Sequence, residues 1–173
     1  KRRLRWHYRS KHESLIAFSN HSFYDSDLVV FPSPFNDHPD YGIRYTRIGR
    51  GTFTNNRNLE EVRVIAESVR NHVLNKPNES LGIVAMNSQQ RDQIEMSIEM
   101  LAKDDSIFRQ KLEEMNLENE GMFIKNLENV QGDERDVIYI SMTYGPSEPG
   151  LAPHQRFGPI NSAMGWRRLN VLF

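Results

Sequence analysis

The run Ser80-Leu81-Gly82-Ile83-Val84-Ala85-Met86 is apolar at almost every position. A half-buried strand alternates apolar and polar residues. A run without alternation buries both faces, as a strand inside a parallel sheet does. Parallel neighbours are joined only through long crossovers, normally helices. The flanking sequence has that form. Ser88 follows the run and can cap a helix reaching about Lys103, with Ile94, Ile98 and Leu101 turned inward. Upstream, Asn58 can cap a helix with Val62, Ile65, Ala66, Val69 and Val73 on one apolar face. Glu60 and Glu61 favour its positive end, and Pro77-Asn78 close it.

The rest of the chain continues the pattern. His12 to Tyr24 spaces Leu15, Ile16, Phe18 and Phe23 as a helix does. Asp27 to Phe31 reads as a short strand ended by Pro32-Ser33-Pro34, and Phe35 to Tyr41 as a loop. Gly42 to Ile48 alternates like a half-buried strand, and Gly49-Arg50-Gly51 and Asn55-Asn56 mark an exposed loop. A charged helix is predicted from Ser106 to Met115, and strands at Met122 to Ile124 and Val137 to Met142. Tyr144 to Pro159 is a Gly- and Pro-rich loop, and Ala163 to Phe173 the start of a last helix. Strands alternating with helices predict an α/β fold with a mostly parallel sheet flanked by helices. Ligands of such sheets bind at the carboxyl ends of the strands, so the loops after Met86, Glu128 and Thr143 are where chemistry is expected.

At 173 residues, 38% hydrophobic and 26% charged, the chain has the size and composition of one globular domain. A net charge of -1 excludes a generally basic nucleic-acid binder, so any such contact comes from local Arg and Lys. The absence of cysteine removes disulfides, thiolate nucleophiles and cysteine zinc sites, and fits a cytoplasmic protein. No apolar run reaches the roughly 18 residues of a membrane span, so no membrane contact is expected. There is no Gly-x-x-x-x-Gly-Lys-[Ser/Thr] phosphate loop, no Gly-x-Ser-x-Gly and no His-Glu-x-x-His; the scattered histidines form no convincing metal pair. The chain starts without Met and stops inside the apolar Val171-Leu172-Phe173, so both ends are expected to be cuts within a longer polypeptide.

Four segments, in order, resemble the second RecA-like lobe of superfamily 1 nucleic-acid helicases, in the Upf1-like group. Tyr8-Arg9-Ser10-Lys11-His12-Glu13-Ser14-Leu15 is similar to a stretch whose Arg reaches the ATP γ-phosphate; Arg9 matches it. Leu81 to Arg91 is similar to the strand, turn and Gln-Arg helix start that touch the nucleic-acid backbone, which implicates Asn87 and Ser88. The family has Pro-Tyr or Pro-Phe after that strand; here Met86-Asn87 stands instead. Asn126 to Ile138 resembles the Gln-Gly-x-Glu-x-Asp signature opening into a buried strand. There Gly132 lets the backbone turn close to ligand, Glu134 reads the nucleotide ribose, Gln131 lies near nucleic acid or nucleotide, and Asp136 holds the turn. Trp166-Arg167-Arg168-Leu169-Asn170-Val171 resembles the family's Arg-Arg-Leu-Asn-Val, with Arg167 and Arg168 as further candidates. The family's arginine finger belongs to a later Thr-Arg-Ala that this chain stops short of. Phe31-Pro32-Ser33-Pro34 and Tyr144-Gly145-Pro146 add a likeness to large bacterial helicase-like proteins, which often carry a nuclease-like domain.

The resemblance implies a RecA-like three-layer fold for residues 1–173 as the C-terminal lobe of a helicase motor. It implies ATP and Mg²⁺ as cofactors, held mainly by a first lobe that carries the phosphate loop. The implied partners are single-stranded DNA or RNA and that first lobe of the same parent chain. Arg9 would stabilise charge on the transferred phosphoryl group. Without the resemblance, Arg9 is a surface ion-pair residue, Asn87 to Arg91 a capped helix start, Gln131 to Glu134 an ordinary capped loop, and Arg167 and Arg168 solvated. Two alternatives stay open: a non-catalytic RecA-like module that binds nucleic acid or protein, and a nuclease domain, whose paired acids and Lys have no persuasive spacing here.

Overall fold

A computed structural model describes residues 5–8, 10–34, 41–118, 121–153, 157–163, 165, 168 and 169. The chain divides into two compact units, Lys1–Arg47 with Leu169–Phe173, and Ile48–Arg168.

In the first unit, β1 (Trp6–His7) pairs in parallel with β2 (Val29–Val30), in register Trp6↔Val29 and His7↔Val30. Helix α1 (Ser14–Phe23) makes the crossover. Asn20 joins helix to strand, its amide accepting from Leu28 N at 3.0 Å and donating to Leu28 O at 3.1 Å. The strand expected from Asp27 to Phe31 is shorter because Pro32, just beyond it, has no N–H to extend a ladder. Gly42 to Ile48 forms no strand. Its alternate apolar side chains stay in solvent, Ile43 at 51% and Tyr45 at 82%, so the alternation there marks no buried sheet face.

The second unit carries three parallel strands in the order β4-β3-β5: β3 (Leu81–Ala85), β4 (Phe123–Asn126) and β5 (Val137–Ser141). All five residues of β3 are buried, as its unbroken apolar run requires. Leu81, Ile83 and Ala85 join a core with Val62, Ile65, Ala66, Val69 and Val73 of α2 (Leu59–Asn75) and Ile94 and Ile98 of α3 (Ser88–Asp104). Phe108 and Met115 of α4 (Ser106–Glu118) close that core. On the opposite face Gly82 lies beneath the Phe123 ring; a Cβ there would sit 2.4 Å from Cζ, so the β3–β4 pairing demands glycine. The chain is thus α/β, with parallel strands flanked by helices in the manner of a RecA-like fold.

A four-residue 3₁₀ turn at Gly158–Asn161 interrupts the Gly- and Pro-rich loop. The helix expected from Ala163 to Phe173 falls largely outside the described residues.

Candidate functional site

Among the described residues, the carboxyl ends of β3 and β5 carry a dense polar arrangement. Asn87, extended in backbone at φ -144° and ψ 165°, caps α3: its side-chain oxygen accepts from Gln90 N at 2.7 Å. The cap is therefore one residue earlier than Ser88, which is the first helical residue and exposed. The Asn87 amide also donates to Asn56 O at 3.1 Å, and its side chain lies beside the Tyr144 hydroxyl.

Asn56 belongs to a tight turn. Thr54 and Arg57 exchange both backbone hydrogen bonds, at 2.9 and 3.0 Å, and Asn55 and Asn56 between them have φ 50° and 59°. Asparagine is among the side chains that tolerate this left-handed region, and the pair makes the turn that joins strands most tightly. The Arg57 guanidinium donates to Gln93 of α3 at 2.8 Å, and Phe53 N to Pro146 O at 2.8 Å. The Tyr144 ring is tilted against Phe53 at 5.1 Å and edge-on to Phe157 at 5.5 Å. An aromatic side chain therefore does stand beside Asn87, supplied by the loop after β5 rather than by the loop after β3.

A buried network lies beneath. Gln90 is fully buried; its oxygen accepts from Asn58 N at 2.8 Å, and its nitrogen donates to Asn58 O at 3.2 Å and Ser141 Oγ at 3.1 Å. Asn58 caps α2 through Glu61 N at 3.2 Å. Glu61, expected only to favour the helix dipole, is buried and accepts the Thr143 N–H at 2.9 Å. Burial pushes its carboxyl above the ordinary range, against the pull of hydrogen bonds from Ser141, Thr143 and Met142. Burial likewise raises the Tyr144 phenol, against its hydrogen bond with Asn87.

The segment from Leu127 to Asp136 leaves the carboxyl end of β4 and doubles back along that strand. Leu127 and Val130 are buried. Asp133 receives Lys125 Nζ of β4 at 2.7 and 2.8 Å. Arg135 lies over the Phe123 ring and donates to Gly121 O, ahead of β4, at 3.1 Å. Asp136 accepts Ser80 N at 3.0 Å and Ser80 Oγ at 2.7 Å, joining the amino ends of β3 and β5. Gly132 has φ +87° with nothing within 4 Å of where a Cβ would project, so its backbone conformation alone calls for glycine. Gln131 and Glu134 are exposed. The contacts of Asp133 and Arg135 carry Glu134 along the flank of β4, away from the strand ends that hold Asn87 and Thr143. Arg168 pairs with Glu128 at 2.7 Å. Arg9 and Arg167 lie outside the described residues.

The AAA domain family AAA_12 matches residues 1–173. The chain belongs to that family. This AAA domain is 37% identical over 171 residues to the uncharacterized ATP-dependent helicase MG140 of Mycoplasma genitalium, covering 97% of this chain and 14% of that protein. It is 33% identical to the homolog of that helicase in Mycoplasma pneumoniae, again over 97% of this chain and 14% of the relative. The AAA domain thus spans 14% of the length of these curated relatives. No solved structure matches it. Among its described residues no helix is long and apolar enough to cross a membrane, and no cluster of His, Asp and Glu is placed to hold a metal ion.

Pattern reading of the sequence proposed Asn87, Ser88, Gln131, Gly132 and Glu134 as site residues; it placed only an exposed loop at Asn55-Asn56 and did not join Gln90, Glu61, Thr143 and Tyr144 into one arrangement. The pair Asn55-Asn56 was the available signal for the turn. Nothing in the sequence marked a glutamine and a glutamate in helix first turns as buried.

Proposed function

We propose that this AAA domain is the second motor lobe of an ATP-dependent nucleic-acid helicase or translocase. In this reading Arg9 meets the γ-phosphate, Gly132 and Glu134 meet the nucleotide, and Asn87, Ser88 and Gln131 meet the strand. Arg167 and Arg168 are further candidates. A first lobe of the same polypeptide supplies the phosphate loop and most of the hold on ATP and Mg²⁺.

The observation that carries the reading is the segment from Gln131 to Asp136 in its setting. Gly132 takes the left-handed backbone beside open space, Glu134 is an exposed carboxylate suited to ribose hydroxyls, and Asp136 leads into β5. The names of the two relatives support the same class. Bound ATP draws such lobes together, hydrolysis lets them part, and alternate grip moves the strand.

A second reading, a non-catalytic module, draws on Asn87. Its side chain is engaged by the helix cap and the Asn56 carbonyl. ATP hydrolysis by the full-length polypeptide, with and without single-stranded DNA or RNA, separates the two. Arg9→Ala is expected to lower stimulated turnover by on the order of a hundredfold with folding intact, the usual scale for a lost transition-state charge contact. Turnover unchanged by the substitution discards Arg9. No turnover by the wild type with either nucleic acid favours the non-catalytic module.

A further inference from the structure

Thr143 is buried, β-branched and left-handed, at φ 65°. For such a residue this conformation is unfavourable and persists only where the surroundings impose it. The surroundings here are Glu61. Its carboxylate takes the Thr143 N–H at 2.9 Å and lies beside the Met142 N–H and the Ser141 hydroxyl. All three donors are neutral, so no cation offsets the desolvation of the carboxylate. What a carboxylate offers instead is two acceptor oxygens. An amide of the same shape accepts on one side only and turns an N–H₂ toward a donor.

The consequence lies at the next residue. Tyr144 follows the turn, its hydroxyl reaches Asn87, and Phe53 and Phe157 flank its ring. Gln90 ties the same layer together: it bonds Ser141 Oγ and the backbone of Asn58, and its own N–H is capped by Asn87. The Glu61 to Thr143 bond therefore sets where Tyr144 stands relative to the cap of α3. That is the face assigned above to the strand.

We propose that Glu61 is a positioning residue for single-stranded nucleic acid: it locks the Thr143 turn so that Tyr144 and Asn87 form one rigid contact for the strand. Tyr144, with a ring to stack and a hydroxyl to donate, supplies the aromatic that Met86-Asn87 lacks. The inference rests on the helicase-lobe reading of the Asn87 face.

The test uses the full-length polypeptide and fluorescein-labelled single-stranded DNA and RNA oligomers, with affinity read by anisotropy. Glu61→Gln and Tyr144→Phe are each expected to weaken binding about tenfold, the scale of one buried hydrogen bond. The double variant is expected to bind no worse than the weaker single one, because both break the same contact. A merely structural Glu61 moves stability and leaves affinity, or adds to Tyr144→Phe independently. Wild-type affinity in folded Glu61→Gln, or additive losses near a hundredfold, overturns the proposal. Should Glu61→Gln not fold, amide exchange in the wild type decides. Bound oligomer is expected to slow exchange at residues 86–90 and 142–145, and unchanged exchange there in the complex overturns the proposal. Failure of the wild type to bind either oligomer overturns the helicase-lobe reading with it, whereas binding without these effects overturns only the role of Glu61.

Discussion

Asp136 and Glu61 are two carboxylates that do opposite things to stability. Asp136 is exposed and holds Ser80 by its backbone N–H and its hydroxyl, while its own N–H donates to Ser80 Oγ at 3.0 Å. Asp136→Ala leaves both Ser80 donors to water and is expected to cost about 1 kcal/mol in urea unfolding, with no change of fold. A cost near zero means the junction of β3 and β5 is held elsewhere. Glu61 is buried, and its carboxyl lies above its ordinary 4.5. The folded chain then holds that proton more tightly than the unfolded chain. Between 4.5 and the raised value the native state carries the extra proton, so stability from this group increases as pH falls and levels off below 4.5. Urea unfolding of wild type minus that of Glu61→Gln, followed from neutral pH down to 4.5, is expected to tilt toward the wild type. A difference that is flat with pH means Glu61 is not raised.

At the scale of elements, β3 shows what its sequence could and could not convey. Its unbroken apolar run specified burial on both faces, and the helices with Val62 to Val73 and Ile94 to Ile98 inward were legible from spacing. Spacing reports which face is apolar, not what it meets, so the fit of Gly82 under Phe123 was invisible. Gly82→Ala drives a Cβ into that ring and is expected to cost about 1–3 kcal/mol, read as a lower urea midpoint. A neutral result would show that Phe123 yields freely, despite Lys125 and Arg135 lying against its ring. The misjudged strand from Gly42 to Ile48 has the same origin: alternation fits a sheet face only where a core exists to receive it. The site was legible in the same partial way. Asn87 and Gly132 stood out by residue type. Glu61, Gln90 and Thr143 did not, because the partners that bury them lie up to 82 residues away.

For the whole molecule, the decisive quantity is how nucleic acid is held by a chain of net charge -1. If the helicase-lobe reading is right, phosphate contacts come from a few local groups and are independent of sequence. Each contacted phosphate on a single strand contributes a slope of about -0.7 in log affinity against log salt. With roughly four phosphates held, raising salt fourfold is expected to weaken binding by the full-length polypeptide roughly fiftyfold, equally for unrelated sequences. The 173-residue chain alone, which has no phosphate loop, is expected to give no ATP turnover under the same conditions. Turnover by the chain alone would mean that it builds a phosphate cradle by some other route. A salt slope near zero would mean that phosphates are not what it grips. Because the chain spans only 14% of its curated relatives, the two measurements must be made on both lengths. A slope that appears only in the longer protein places the grip outside this domain. A slope shared by both places it within this domain.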